Sequence, residues 1–92
     1  MTDKIRCAHI LVEKHSQALQ VLERLKKGES FAAIAEQVSQ CPSKKRGGDL
    51  GLFGHGQMVR EFERAAFALE KGQTTQEPVK TEFGYHIIKR LE

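Results

Sequence analysis

The sequence predicts an α+β fold in which a small, mostly antiparallel sheet packs against helices. Period-2 alternation over residues 4–13 and 85–91 predicts strands near both ends of the chain. Between them, apolar residues recur at helical spacing in three segments. The expected order is strand, two helices, loop, strand, helix and two strands, which lacks the regular alternation of a parallel sheet.

The first strand is predicted from the alternation over residues 4–13. Ile5, Cys7, His9 and Leu11 share one face, and the residues between them are also largely apolar. A strand with two apolar faces is typically buried on both sides. We therefore expect a central strand.

Two helices follow this strand. Ser16 is the predicted N-cap of the first, and Gly28 stands after its end, where a left-handed residue is favoured. The apolar positions of this helix are Ala18, Val21, Leu22 and Leu25. Ser30 is expected to begin the second helix, which must end before the Cys41-Pro42 step because proline disfavours a helical residue before it.

A polar, glycine-rich loop over residues 43–49 leads into a brief strand at 50–54. A third helix is then predicted, with Lys71 in its last turn and Gly72 after it. Its apolar positions are Met58, Phe62, Ala65, Ala66 and Leu69. The chain ends in two strands, 78–81 and 85–91, joined by the tight antiparallel turn that Glu82-Phe83-Gly84 favours.

A chain of 92 residues with 39% hydrophobic and 29% charged side chains is typical of a globular protein with one modest core. We expect residues 1–92 to form a single, monomeric domain. Neither a signal-peptide h-region nor a membrane-spanning stretch is visible, which favours a cytoplasmic protein. In that compartment the thiols of Cys7 and Cys41 are expected to be free.

Two histidines and one cysteine are candidates for chemistry. His9 and His86 lie on strand faces that continue into apolar residues, so both imidazoles are expected to point into the core. Cys41 precedes Pro42 in a loop and lies near both histidines if the sheet places the first and last strands together. Taken singly, each histidine is more often structural than catalytic.

Three interpretations of these residues remain open. A Cys41 nucleophile paired with a histidine would indicate a protease or acyl transferase, but no local cysteine hydrolase motif is present. A metal site formed by both cysteines with His9 and His86 lacks the short ligand spacing of structural zinc sites. In the third interpretation Cys7 is a small core residue and Cys41 an incidental loop residue.

Four large apolar residues suit the wall of a shallow pocket, or equally an ordinary core. They are Leu50, Phe53, Met58 and Phe62. The basic run at Lys44, Lys45 and Arg46 predicts weak contact with an anionic surface. Three charges without aromatic residues among them do not predict nucleic acid as a partner.

Several separated motifs resemble the parvulin family of peptidyl-prolyl isomerases and together extend over essentially the whole chain. Five motifs in the family's order are much more specific than any one of them. The five motifs are Arg6-Cys7-Ala8-His9-Ile10-Leu11-Val12, Cys41-Pro42-Ser43, Arg46-Gly47-Gly48-Asp49-Leu50-Gly51, Gly56-Gln57-Met58 and Gly84-Tyr85-His86-Ile87-Ile88, and the single residue Phe62 also matches.

The resemblance implies a four-stranded, mostly antiparallel sheet surrounded by about four helices, and catalysis of cis/trans rotation about X-Pro bonds without a cofactor or metal. The implied catalytic residues are His9, Cys41, Thr81 and His86. The residues implied to hold the substrate proline are Leu50, Phe53, Met58 and Phe62. Expected partners are proline-containing peptides and unfolded or partly folded proteins.

Two positions differ from many relatives. Gln40 stands before the cysteine where many relatives carry an acidic residue, which changes the charge near the thiol. Phe83 replaces the serine of some relatives, which predicts a smaller and more apolar network beneath the pocket.

The connection between the first strand and the first helix bears on specificity. Phospho-specific relatives have a longer, arginine-bearing loop there, whereas only residues 13–15 separate Val12 from Ser16 in this chain. We therefore expect no phosphate clamp and substrates with unphosphorylated X-Pro, where X is apolar or basic. The alternative is a binding module that captures unfolded segments in the same groove without isomerising them.

Overall fold

The computed structural model describes residues 4–92 and contains the predicted elements in the predicted order. These are β1 (Lys4–Val12), α1 (His15–Lys26), α2 (Phe31–Val38), a 3₁₀ helix (Pro42–Arg46), β2 (Asp49–Gly54), α3 (Arg60–Ala68), β3 (Val79–Thr81) and β4 (Gly84–Arg90). The α+β fold is confirmed, with three α-helices and one 3₁₀ helix over these residues in place of about four helices. Within the same range, none of the helices combines the length and apolar character needed to cross a bilayer.

The four strands form one antiparallel sheet in the order β2-β1-β4-β3, so β1 is central as its two apolar faces predicted. In the β1–β4 pair, His9 lies opposite Ile88 and Leu11 lies opposite His86. Side chains two residues apart on a strand point to the same face. The two imidazoles are therefore diagonal neighbours on one face of the sheet, within reach of each other.

The core consists of two clusters of buried residues, one on each face of the sheet. The cluster on the side of α1 and α2 includes Ile10, Val21, Ile34 and Ile87. The cluster on the side of α3 includes Ile5, Cys7, Phe53, Phe62 and Ile88. Because β1 and β4 contribute to both clusters, burial of apolar surface fixes the two strands that carry the histidines.

Both predicted helix starts can be compared with the structure. The Oγ of Ser30 accepts a hydrogen bond from the N–H of Ala33 at 3.3 Å, which confirms it as the N-cap of α2. The prediction of Ser16 as the N-cap of α1 was wrong, because α1 begins at His15 and its N-cap is Lys14, two residues before Ser16. There the carboxamide oxygen of Gln17 accepts the N–H of Lys14 at 2.9 Å, so a side chain from the first turn closes the helix start instead.

The third helix is shorter than predicted at both ends. Met58 precedes the helix, and Lys71 and Gly72 lie beyond its end at Ala68. The helix stops where Leu69 turns to an extended conformation (φ −79°, ψ 147°), and the Arg90 guanidinium donates to the Leu69 carbonyl at 2.7 Å. A tertiary hydrogen bond from β4 therefore satisfies a carbonyl at this helix end, which no local pattern can predict.

Candidate active site

A cavity of about 480 Å³ opens on the α3 side of the sheet. This volume lies in the range of small-ligand pockets. Its lining residues are His9, Leu11, Gln40, Cys41, Pro42, Leu50, Gln57, Met58, Val59, Phe62, Phe83 and His86. The lining is mainly apolar and, as far as residues 4–92 are concerned, includes no lysine, arginine, aspartate or glutamate.

The two histidines predicted from the sequence meet at this cavity. Nδ1 of His9 and Nδ1 of His86 lie 2.9 Å apart, and the two rings are nearly parallel with centroids separated by 5.1 Å. The ring of Phe62 packs edge-on against both, at 5.5 Å from His9 and 5.3 Å from His86. The strand register, together with one aromatic side chain from α3, thus fixes the imidazole pair.

Thr81 extends the hydrogen-bonded pair into a chain, as the sequence predicted. Its Oγ1 lies 2.7 Å from Nε2 of His86 and accepts the backbone N–H of Phe83 at 3.2 Å. The backbone of Phe83 supports this network, and the residue, 62% exposed, lies at the cavity edge. The β3–β4 turn therefore holds the Thr81 hydroxyl in place. The smaller polar network expected from Phe83 in place of serine stays a prediction.

Burial keeps both imidazoles neutral at pH 7. Desolvation lowers the pKa of His9 to about 4, with a further contribution from the neighbouring His86, and desolvation alone lowers the pKa of His86 to about 4. Two neutral rings share the Nδ1–Nδ1 hydrogen bond only if one carries its proton on Nδ1 and the other on Nε2. Nε2 of His9 is buried and has no hydrogen-bond partner among residues 4–92.

Cys41 reaches the cavity from the segment that follows α2. The Oγ of Ser39 accepts the N–H of Leu11 at 3.0 Å and that of Cys41 at 3.4 Å, while the N–H of Gln40 donates to the Leu11 carbonyl at 2.8 Å. These bonds attach the segment to β1 beside the histidine face. Over the described range, the thiol of Cys41 has no hydrogen bond to either imidazole, although all three side chains line the same cavity.

Three of the four predicted apolar residues form part of the cavity wall: Leu50, Met58 and Phe62. The prediction that Phe53 lines the same pocket was wrong. Phe53 is 2% exposed and packs behind Phe62, with ring centroids 6.0 Å apart. The register explains this, since Phe53 lies opposite Ile5, four residues along β1 from His9.

Gly48 allows the junction between the 3₁₀ helix and β2 to lie close to the backbone of β1. Its φ is +88°, and the carbonyl of Gly48 accepts the N–H of His9 at 2.9 Å. A Cβ at this position would overlap the carbonyl oxygen of His9. Only glycine fits the backbone of this junction.

Sequence reasoning missed several contributors to the site. Leu11, Gln57 and Val59 line the cavity, and Ser39 anchors the cysteine segment. The alternation of β1 could have identified Leu11, which shares a face with His9. Gln57 lies in the matching motif Gly56-Gln57-Met58 but was not assigned to the pocket. Val59 lies in a connection without periodicity and Ser39 acts through tertiary contacts, so no local signal marks these two.

The structure bears on the remaining residues that the sequence singled out, which are Cys7, the possible metal ligands and the basic run. Cys7 is fully buried in the α3-side cluster, and burial raises its pKa to about 11. Over residues 4–92, no three side chains of histidine, cysteine, aspartate or glutamate come together as metal ligands. The basic run at Lys44, Lys45 and Arg46 is exposed on the 3₁₀ helix.

Comparison with known families gives one match that extends over most of the chain. The family model described as "Rotamase: PPIC-type PPIASE domain" matches residues 9–92 of this chain. Foldase protein PrsA of Geobacillus sp. (strain WCH70) is 55% identical over 87 residues, which cover 94% of this chain and 31% of that protein. The chain spans about a third of the length of the curated relatives it matches.

Solved structures share the fold closely. The crystal structure of PrsA from Bacillus subtilis superposes with a TM-score of 0.94 at 48% identity, covering 98% of this chain and 35% of that chain. The solution structure of NmPin, the parvulin of Nitrosopumilus maritimus, superposes with a TM-score of 0.88 at 50% identity, covering 100% of this chain and 99% of that one.

Proposed function

The chain belongs to the PPIC-type peptidyl-prolyl isomerase (rotamase) family, and we propose that it accelerates cis/trans rotation about X-Pro bonds of unphosphorylated polypeptides. The observation that carries this proposal is an uncharged, mainly apolar cavity in which Phe62 touches a pair of neutral, hydrogen-bonded histidines. The names of the relatives, which include foldases and a parvulin, support assistance to protein folding as its role.

The apolar wall supplies the main chemical effect. Rotation about X-Pro requires loss of amide resonance, with a barrier of about 18 to 20 kcal/mol, and no covalent bond is made or broken. The planar amide is more charge-separated than the twisted one, so an environment that removes water from the carbonyl favours the transition state. Leu50, Met58 and Phe62 would hold the proline ring in such an environment.

The polar residues orient and polarise the substrate without attacking it. The chain of Thr81, His86 and His9 is buried and neutral, so it provides a rigid arrangement of hydrogen-bonding groups beside the apolar wall. Cys41 would act as a polarising neighbour of the carbonyl. The absence of a hydrogen bond from its thiol to either imidazole within residues 4–92 supports this role over an activated nucleophile.

The connection between β1 and α1 supports selectivity for unphosphorylated substrates. It consists of Glu13 and Lys14 alone, and the part of the cavity lining that the structure describes contains no lysine or arginine that would pair with a phosphate. An uncharged lining favours apolar X and tolerates a basic X whose charged end reaches water. Weak contact of residues 44–46 with anionic surfaces, a monomeric state and a cytoplasmic location remain predictions from the sequence.

The test is the cis-to-trans rate of short X-Pro peptides with X as Leu, Arg, Glu or phosphoserine, with and without the protein. We expect acceleration led by Leu or Arg. Met58→Ala should lower kcat/KM roughly tenfold or more. Leu52→Ala, at a 61% exposed position on β2 outside the cavity, should leave kcat/KM unchanged.

Two outcomes would overturn the proposal. A strong preference for phosphoserine would contradict the substrate class. Peptide binding without acceleration would favour the binding module that captures unfolded segments.

A further inference from the structure

The cavity wall includes a segment that belongs to no helix or strand. This segment, residues 55–59, is called the wall loop here; it contributes Gln57, Met58 and Val59 to the lining. Met58 and Phe62 are four residues apart, but α3 begins only at Arg60, so helical geometry does not fix their separation.

The side chains of the wall loop bury little surface against the rest of the protein. His55, Gly56 and Gln57 are exposed, and Met58 and Val59 are only partly buried. Phe62, by contrast, is 2% exposed and packed against both histidines. The loop is therefore the less firmly packed side of the cavity, and its position depends on its hydrogen bonds.

Two of these bonds go to one carboxylate from α3, that of Glu63, whose backbone N–H also donates to the Val59 carbonyl at 2.9 Å. Oε1 of Glu63 accepts the N–H of Gly56 at 2.6 Å, and Oε2 lies 3.3 Å from Nδ1 of His55. The His55 ring also stacks on Phe67, with centroids 4.1 Å apart. Within the loop, the carboxamide oxygen of Gln57 accepts the N–H of Gly54 at 2.7 Å.

We propose that Glu63 is a positioning residue for isomerisation, whose carboxylate attaches the wall loop to α3 and so sets the spacing between Met58 and Phe62. Glu63 follows Phe62 in α3, so both residues belong to the same rigid helix. Glu63 holds the loop, and Phe62 faces it across the cavity. The proposal rests on the proposed function, in which the proline ring lies between these two side chains. Glu63 itself is not part of the cavity lining.

Three variants separate positioning from general stability. Glu63→Ala removes the acceptor for Gly56, while Glu63→Gln keeps a carbonyl oxygen at the same place. Glu61→Ala is the matched control, because Glu61 is exposed in the same first turn of α3 and its side chain has no hydrogen bond within residues 4–92.

The first readout is kinetic and uses a Leu-Pro peptide. We expect Glu63→Ala to raise KM by roughly three- to tenfold with kcat within about twofold, because a loosened wall weakens ground-state and transition-state binding alike. Glu63→Gln should recover to within about twofold of wild type, and Glu61→Ala should match wild type.

The second readout is independent of activity. The chain has two methionines, Met1 and Met58, so a ¹³C-methyl spectrum resolves Met58 directly. Glu63→Ala should shift and broaden the Met58 signal, and the other two variants should leave it in place. If the wild-type chain does not accelerate isomerisation, the proposed function fails and the Met58 signal alone decides whether Glu63 holds the loop.

The proposal is overturned by a Glu63→Ala variant with wild-type KM and an unchanged Met58 signal. It is equally overturned if Glu61→Ala raises KM and shifts the Met58 signal as much as Glu63→Ala does, since the effect would then not depend on the bonds from Glu63 to the loop.

Discussion

Two neutral imidazoles share a hydrogen bond inside the molecule, and this makes the fold sensitive to acid. The pKa values of His9 and His86 are lowered to about 4 in the folded chain, mainly by burial, against 6.5 for an exposed histidine. Between these values the unfolded chain binds protons that the folded chain does not. The free energy of unfolding should therefore fall as pH drops from 6.5 towards 4, and level off below that, by a few kcal/mol in all.

Urea unfolding between about pH 7.5 and pH 3 measures this loss directly. His15→Gln is the control, because His15 is exposed and its removal should keep the slope. Hydrogen bonds from Arg6 lower the pKa of Asp49, so any contribution from that carboxylate is lost at lower pH than the contribution of the histidines. A free energy of unfolding that stays constant from pH 7 to pH 5 would mean that the imidazoles are not buried as a neutral pair.

Cys41 offers a second test at the residue scale. Cys41→Asp should keep kcat/KM within about tenfold of wild type, because a carboxylate can polarise the substrate but cannot replace a thiolate nucleophile here. Peptide isomerisation rates measure this directly. Abolition of turnover in this variant would support covalent catalysis instead.

Alkylation gives a control for the same question. Cys7 is fully buried with a raised pKa, so a mild thiol reagent should modify Cys41 alone. The adduct should inhibit by filling the cavity. Cys41→Asp should then be insensitive to the reagent while remaining active.

At the scale of elements, Gly48 determines how closely the junction between the 3₁₀ helix and β2 approaches β1. Gly48→Ala should lose several kcal/mol of stability, because φ is positive and the new Cβ would overlap the His9 carbonyl. Gly28→Ala has a similar φ of +93° but open space around the Cβ, so it should cost only about 1 kcal/mol. Urea midpoints of the two variants should differ accordingly.

The two glycine variants should also differ in kcat/KM. Gly48→Ala displaces the backbone of a cavity residue and should lower kcat/KM even at temperatures where the variant is folded. Gly28→Ala lies at the end of α1 and should retain wild-type kcat/KM. Equal stabilities for the two variants would show that the β1 contact at Gly48 is not restrictive.

The order of the elements could be predicted from the sequence, whereas the exact helix ends could not. The existence and order of the elements follow from hydrophobic periodicity, which is a local property; the central position of β1 follows from its two apolar faces. Helix ends are predicted less well. The side chain of Gln17, and not that of Ser16, makes the hydrogen bond at the N-terminus of α1. At the C-terminal end of α3, Arg90 from β4 donates a hydrogen bond to the Leu69 carbonyl. Both errors come from hydrogen bonds that the pattern of apolar residues does not encode.

The cavity lining depends on register as well as on pattern. Leu50 and Phe53 lie in the same short strand, yet only Leu50 reaches the cavity, because the pairing with β1 places Phe53 opposite Ile5. A pattern of apolar residues assigns faces but not distances along the strand. The histidine pair could be anticipated because both residues lie in long, buried strands, whereas the wall loop has no periodicity from which to predict it.

At the scale of the whole molecule, the chain contains what an independent domain needs. Both faces of the sheet are covered by helices from the chain itself, and the radius of gyration of 11.9 Å is close to the value of about 12 Å expected for a compact domain of this length. The relative from Nitrosopumilus maritimus is covered over 99% of its length by this domain alone. These observations support independent folding of residues 1–92.

We therefore predict that residues 1–92 unfold cooperatively as a monomer. Tm and the urea midpoint should stay constant over about a hundredfold range of protein concentration, because a monomer gains no folding energy from association. The urea m-value should be on the order of 1 kcal/mol/M, as for other domains of this size. Sedimentation over the same range checks the mass, and a Tm that rises with concentration would mean that a second copy covers surface such as the exposed Leu52 or Phe83.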